Sequence, residues 1–215
     1  MIREFGWIDF FYLVAATRWT LALTATAFVG GSLIGIAVAV LRVARLLPLR
    51  AIGSAYVQLA QGIPLLVWLF VFYFGLAIAG LPVRPWIAAA AFSLYGGAFL
   101  GEIWRGALQA IPKTQWEAGA ALGLGFAEQL RYIIVPQAVR IAIPPTVGFL
   151  VQLIKNTSLA AVIGFVELTR EGQLTSAATF QPFTVYMTVA GLYFVMCFPL
   201  TQCSRSLERR LHAAG

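Results

Sequence analysis

Four stretches of this 215-residue chain carry no charged side chain: 19–41, 51–83, 85–101 and 172–204. A fifth, 141–166, is interrupted only by Lys155, with Pro144 and Pro145 near its start. A hydrocarbon core about 30 Å thick is crossed by roughly 20 apolar residues wound as a helix, which satisfies its own backbone groups. Each stretch predicts one crossing. The expected fold class is an all-α integral membrane protein with five transmembrane helices. At 60% hydrophobic, 11% charged and a mean hydropathy of +0.85, the chain is too apolar for a soluble domain.

An odd number of crossings places the termini on opposite sides, and lysine and arginine collect on the cytoplasmic one. With the amino terminus outside, Arg42, Arg45, Arg50, Arg105, Lys113, Arg131, Arg140, Arg205, Arg209 and Arg210 lie inside, against Arg3, Arg18, Arg84 and Arg170 outside. The expectation is therefore amino terminus out and carboxyl terminus cytoplasmic. The net charge of +7 follows from this bias and from contact with anionic membrane lipids, with no call for nucleic acid. The first apolar run reaches Leu41, beyond the length of a signal peptide. Residues 1–18, which include "FGWIDFFYLVAATR", are rich in aromatics and are expected to form an interfacial segment ahead of a membrane domain spanning 19–215. Cys197 and Cys203 have no histidine neighbours, so no metal site is expected, and His212 in the basic tail is given no role. Gly31 and Gly35 in "FVGGSLIGIAVAV" have the spacing that lets helix backbones touch, either within the subunit or across a dimer.

The longest polar interruption is "IPKTQWEAGAALGLGFAEQLRYIIVP", residues 111–136. Thr114 and Glu117 fit a capping box and place a helix start near Thr114; Gly123 and Gly125 then predict a turn, and a second helix from Ala127. Leu122, Phe126, Leu130 and Ile133 recur at helical spacing and predict one apolar stripe. Glu117, Glu128 and Arg131 keep this helix-turn-helix out of hydrocarbon, at the cytoplasmic surface. Two readings of Glu117 stand: a cap for its own helix, or part of a docking face whose small residues, Ala118, Gly119, Ala120 and Ala121, admit a partner closely.

A second polar group lies inside an apolar run. If the fourth span starts near Pro144, about ten residues at roughly 1.5 Å each bring "KNTS", Lys155–Asn156–Thr157–Ser158, to mid-membrane depth, where a charge is costly and by default functional. The alternatives are an ion pair of Lys155 with Glu167 or Glu102, or a shallower loop. Gly62 and Pro64 in "AQGIP" predict a helix irregularity in the second span. Glu102 with Arg105, and Glu167 with Arg170 and Glu171, read as local helix pairs.

The polar interruption resembles the cytoplasmic coupling loop, the EAA loop, of ATP-binding-cassette (ABC) importer permeases, in Glu117, Ala118, Gly119, Gly123, Ile133 and Pro136. It departs at Gly119, where alanine is usual, and at Val135, where leucine is usual. "GIPLLVWLFVFYFGL", "GEIWRGALQAIPKTQWEAGAALG", "LIKNTSLAAVIGFVELTREGQ" and "LERRL" extend the resemblance to the polar amino acid uptake branch, the histidine/glutamine/glutamate-type permeases, over most of the chain from Gln58 onward. The resemblance implies a type I importer permease fold and an amino acid substrate. It implies a bacterial inner-membrane subunit that pairs with an identical or homologous permease. Cytoplasmic ABC ATPase subunits would hold ATP and Mg, and an extracytoplasmic binding protein would deliver substrate. It assigns ATPase coupling to Glu117, Ala118, Gly119, Ala120, Leu122 and Gly123, within a loop of about 112–136. If the mid-membrane reading of "KNTS" holds, the substrate pathway is expected at Lys155, Asn156, Thr157 and Ser158, with Lys155 attracting an amino acid's carboxylate, and at the Gly62 and Pro64 irregularity. Gln61 and Ile63 stand where that family has arginine and threonine, so no ligand role passes to them.

No phosphate-cradling G-x-x-x-x-G-K-[ST] loop is present in the sequence, so the expectation is a permease that binds no cofactor and hydrolyses no ATP itself. No paired carboxylates or nucleophile–base set suggests a membrane enzyme. The alternative is a subunit of an ATP-independent secondary carrier or channel. Against it, no carboxylate falls at the centre of a predicted span, and the helix-turn-helix would lack a purpose.

Overall fold

The computed structural model describes residues 4–44, 46–81 and 86–213, apart from the side chains at 210, 212 and 213. Arg3, Arg45 and Arg84, and the side chains of Arg210 and His212, on which parts of the orientation and tail readings drew, lie outside what is described. Among the described residues, four helical rods are long and apolar enough to cross a membrane. They are α1 (Trp7–Val43), α4 (Ile87–Gln109), the rod Phe126–Ile163, and residues Pro182–Arg209 of α9 (Pro182–Ala213). Between the first two lie α2 (Leu47–Gly62) and α3 (Leu65–Ile78), which meet at 98° and make a fifth span if the bent pair is counted as one. The bend falls at Ile63–Pro64, where proline supplies no N–H and pushes the residue before it out of the helical region. Two short helices, α5 (Lys113–Ala121) and α8 (Leu168–Thr179), mark opposite ends of the bundle.

Two boundaries differ from the sequence reading. The aromatic stretch before Thr20 belongs to one unbroken 37-residue helix rather than to a separate one. At about 1.5 Å per residue such a helix outruns the hydrocarbon thickness, and its first turns carry exposed Trp7, Phe11 and Tyr12. The rod expected to start near Pro144 begins much earlier: α6 (Phe126–Gln129) passes through a π-helical stretch, Leu130–Ile134, into α7 (Val135–Asn156). The wide turn has a cause in Pro136, whose ring in a regular helix would crowd the carbonyl of Tyr132. Pro144 and Pro145 sit inside α7, and Ser204 of α9 donates to the Pro144 carbonyl at 2.8 Å, fastening the two helices there.

The tightest seam joins α1 to α4, and it is made of glycine on both sides. A Cβ on Gly31 would lie 3.3 Å from the backbone of Gly96 and Gly97, and one on Gly35 would lie 3.1 Å from the Gly101 nitrogen. Apolar helices in lipid gain little by hiding from solvent, so this close backbone approach supplies the packing. Of the two partners left open for Gly31 and Gly35, the structure selects the one within the subunit. Around the seam, Leu23, Leu69, Phe92, Leu100 and Leu153 form the main core.

Candidate functional site

The polar elbow between α4 and α7 is built differently from the expected capping box. Its first helix, α5, begins at Lys113 behind an N-cap of Pro112, so Thr114 lies within the first turn and caps nothing. Glu117 is exposed and makes no hydrogen bond or ion pair with the described residues. The capping reading of Glu117 is thereby overturned. Half of such a box appears one helix later, where the Gly125 N–H donates to the Glu128 carboxylate at 2.8 Å; Gly125 has no side chain to return the bond. Between the helices Gly123 adopts φ +76°, which closes α5 through bonds from Gly123 N to Ala120 O (2.9 Å) and from Leu124 N to Gly119 O (3.1 Å). The turn expected at Gly123 and Gly125 is present.

The predicted apolar stripe divides into two faces. Leu130 and Ile133 pack inward with Ile111, Ile134 and Ala138. Leu122 and Phe126 stand 78% and 57% exposed at the tip, with Phe126 stacked on Trp116 at 5.6 Å. Lys113, Trp116, Glu117, Phe126 and Gln129 surround a depression of about 550 Å³. Ala118 and Ala120 face outward, whereas Gly119 is buried: an added Cβ would lie 2.9 Å from Gln129 Cγ and 3.0 Å from Ile133 Cδ1. Gln129 is held there by its bond to the Leu124 carbonyl at 2.7 Å. Glycine at this position, where the resembled loop has alanine, thus has a local reason. Gly119 supports the elbow from beneath.

The "KNTS" group splits as well. The α-helix ends at Asn156 and tightens into a 3₁₀ segment, Thr157–Ile163, closed by Gly164 at φ +84°. Thr157 is fully buried and donates to the Ile154 carbonyl at 2.7 Å; Ser158 donates to the Lys155 carbonyl at 2.7 Å. Lys155 is exposed and makes no ion pair among the described residues, since Glu102 pairs with Arg42 and Arg105, and Glu167 bonds elsewhere. Neither proposed ion-pair partner of Lys155 is therefore engaged with it. Asn156 accepts from Gln152 Nε2 at 3.2 Å. Gln152, missed in the sequence reading, is exposed one turn before Asn156. A polar residue at i−4 in an apolar run was the signal that pointed to it. Leu65 and Leu69 at the start of α3 share a core cluster with Leu153, Ala160 and Ile163, so the Gly62–Pro64 bend and the end of α7 flank one core. A groove of about 630 Å³ between α1, α4 and α7, lined by Ile36, Val40, Leu108, Val139 and Ile143, is nearly all apolar and offers a polar solute no partner.

Glu167 also departs from its sequence reading as an exposed local pair. It is fully buried and caps α8, accepting from the Arg170 backbone N–H at 2.9 Å and from the Tyr193 hydroxyl at 2.8 Å. The Arg170 guanidinium turns instead to Gln173, at 3.0 Å.

The sequence pattern described as binding-protein-dependent transport system inner membrane component matches residues 31–213. The chain belongs to this family of ABC importer permeases. It is 38% identical over 193 residues to a probable glutamine ABC transporter permease protein, GlnM, of Bacillus subtilis (strain 168), covering 89% of each chain. It is 37% identical to the L-cystine transport system permease protein TcyB of the same organism, covering 90% of this chain and 83% of that one. A crystal structure of an amino acid ABC transporter with histidines superimposes with a TM-score of 0.87 at 31% identity, over 93% of this chain and 94% of that one. The methionine ABC transporter MetNI, inward facing, shares the fold at a TM-score of 0.77 and 21% identity, over 94% of this chain and 99% of that one. The resemblance drawn from the EAA-like loop and its companion segments holds across nearly the whole chain.

Proposed function

We propose that the chain is the membrane-spanning subunit of an ATP-driven amino acid importer, with five crossings, its amino terminus outside and its carboxyl terminus cytoplasmic in a bacterial inner membrane. Two such subunits, identical or homologous, enclose the pathway. Cytoplasmic ABC ATPases, which carry the ATP and Mg, receive the elbow from Glu117 to Pro136, and an extracytoplasmic binding protein delivers the amino acid. The observation that carries this reading is the elbow itself: a rigid turn that exposes Leu122, Phe126, Glu117 and two alanines at its tip. Large apolar groups at the tip of a polar turn favour a partner that covers them. Lys155 and Asn156, the outward pair of the "KNTS" group, are assigned with Gly62 and Pro64 to the pathway; Thr157 and Ser158, whose hydroxyls are spent on backbone carbonyls, shape the end of α7 beside them.

Reconstitution with the neighbouring ATPase and binding protein tests the proposal. Glu117→Lys with Leu122→Ala is expected to lower amino-acid-stimulated ATP hydrolysis about tenfold, as loss of a central contact does at an interface. The thermal melt of the permease should not move, because neither side chain is buried. Undiminished hydrolysis would remove the elbow from coupling, and uptake driven by an ion gradient without any ATPase would establish the secondary carrier instead. In the same vesicles, Lys155→Ala and Asn156→Ala are expected to weaken apparent affinity for the amino acid about fivefold to tenfold, the worth of one charged or polar contact. Unchanged affinity and rate in both would take these residues out of the pathway.

A further inference from the structure

Above the elbow, at the inner end of α4, stands an ion-pair cluster that reaches beyond the local pair read from sequence. Arg105 Nε donates to Glu102 Oε1 at 3.0 Å, and the same guanidinium also meets Gln109. Arg42, in the last turn of α1, brings Nη1 to 3.3 Å from Glu102 Oε2, an ion pair without hydrogen-bond alignment. The side chains of Arg42, Glu102 and Arg105 keep 18%, 31% and 20% of their surface, so the cluster is neither dry nor loosely solvated.

Arg42 is also held from its other side. Gly53 of α2 is buried, and a Cβ there would lie 3.1 Å from Arg42 Cγ and 3.2 Å from Cδ. One side chain therefore lies against α2 with its methylenes and binds α4 with its head group. Beyond Gly53, α2 leads to the 98° bend at Gly62 and Pro64; beyond Glu102, α4 leads through Gln109 into α5.

We infer that Arg42, clamped between Gly53 and Glu102, is the joint through which displacement of the elbow reaches the bent helix pair. The inference rests on the coupling role proposed above. The opposite charges of Arg42 and Glu102 attract across a part-buried gap, so a shift of α4 draws Arg42, and the α2 backbone lying against its methylenes, along with it. Arg42 acts as a positioning residue: it touches neither the ATPase surface at Leu122 nor the end of α7.

The test uses the permease reconstituted with its ATPase and binding protein, with uptake and ATP hydrolysis measured in the same vesicles. Arg42→Gln and Glu102→Gln are each expected to lower the amount of solute moved per ATP by about fivefold or more, the lower range of a coupling between two sites. Hydrolysis itself should persist. Arg42→Lys, which keeps the charge and a methylene stem, should retain part of the ratio. The exchanged pair, Arg42→Glu with Glu102→Arg, should restore only part of it, because the arginine then at position 102 stands one turn from Arg105, which loses its carboxylate. A merely structural role would lower uptake and hydrolysis together with the folded fraction; an unchanged ratio in all variants overturns the joint. If the wild-type chain itself shows no stimulated hydrolysis, the coupling role falls and the joint with it. If the wild type is coupled and the variants match it, the joint alone falls.

Discussion

Gly97→Ile should part α1 from α4 and cost about 3 kcal/mol of stability, the upper range of overpacking a well-packed core. A Cβ at Gly97 would sit 2.4 Å from Ile34 Cγ2 and 2.6 Å from Ile34 Cβ, closer than carbon atoms pack. Ile34 cannot turn away cheaply, because it is β-branched and stiff about χ1. Its helix cannot shift alone either, since even a Cβ on Gly31 would lie only 3.3 Å from the backbone of Gly96 and Gly97. The remaining relief is to separate the two helices, which forfeits dispersion contacts along the whole seam. Gly75→Ala and Gly191→Ala serve as controls. Nothing lies within 4 Å of a Cβ at either position, and alanine in a helix is favoured over glycine by up to about 1 kcal/mol. Thermal melts of the purified permease in detergent should show a large drop for Gly97→Ile and no loss for the controls. Equal melts for all three would mean that α1 and α4 do not pair as described. A wild-type melt for Gly97→Ile with an altered oligomeric state would return the glycine seam to a contact between subunits.

That seam shows what the sequence could convey. The spacing of Gly31 and Gly35 announced a close helix contact, but the partner was undetermined, because Gly96, Gly97 and Gly101 lie far away in the chain. The apolar stretches were legible as spans, since the requirement for roughly 20 uncharged residues is set by lipid thickness alone. Helix ends were less so. Pro144 looked like a beginning, yet α7 passes through it, because Ser204 and packing against α9 tolerate a proline inside a rod. Thr114 and Glu117 matched a capping box letter for letter, but Pro112, with its fixed φ, starts α5 one residue earlier. The consequence for the candidate site is direct: once Glu117 is not occupied by its own helix, its carboxylate is left facing outward at the elbow. The separate fates of Lys155 and Thr157 were hidden for a different reason. Four adjacent polar residues on a helix point in different directions, and only the change to a 3₁₀ turn at Thr157 determines which of them turn inward.

Glu167 was read from sequence as a surface charge, and its burial leads to the other large effect. In the chain Glu167 falls between the spans Phe126–Ile163 and Pro182–Arg209, and its carboxylate caps α8 and joins that helix to α9 through Tyr193; Thr20 of α1 receives the neighbouring Leu168 N–H at 3.1 Å. Glu167→Ala removes the cap, strands the Arg170 N–H and leaves a void, which together should cost about 2–4 kcal/mol. Glu167→Gln keeps an acceptor for that N–H and should cost far less. Burial raises the Glu167 pKa above its ordinary value, against the opposing pull of its hydrogen bonds. The folded state therefore holds this proton to higher pH than the unfolded state does. Its contribution is fully present below the ordinary carboxylate value and is lost as pH rises through the raised one. Acidifying the wild-type permease from neutral pH should accordingly gain stability through this group, and Glu167→Gln should show a shallower gain. Melting curves across that range for the three proteins read both effects at once. Identical pH slopes in wild type and Glu167→Gln would place the titration elsewhere, and a wild-type melt for Glu167→Ala would deny the carboxylate its part in holding α8 to α9.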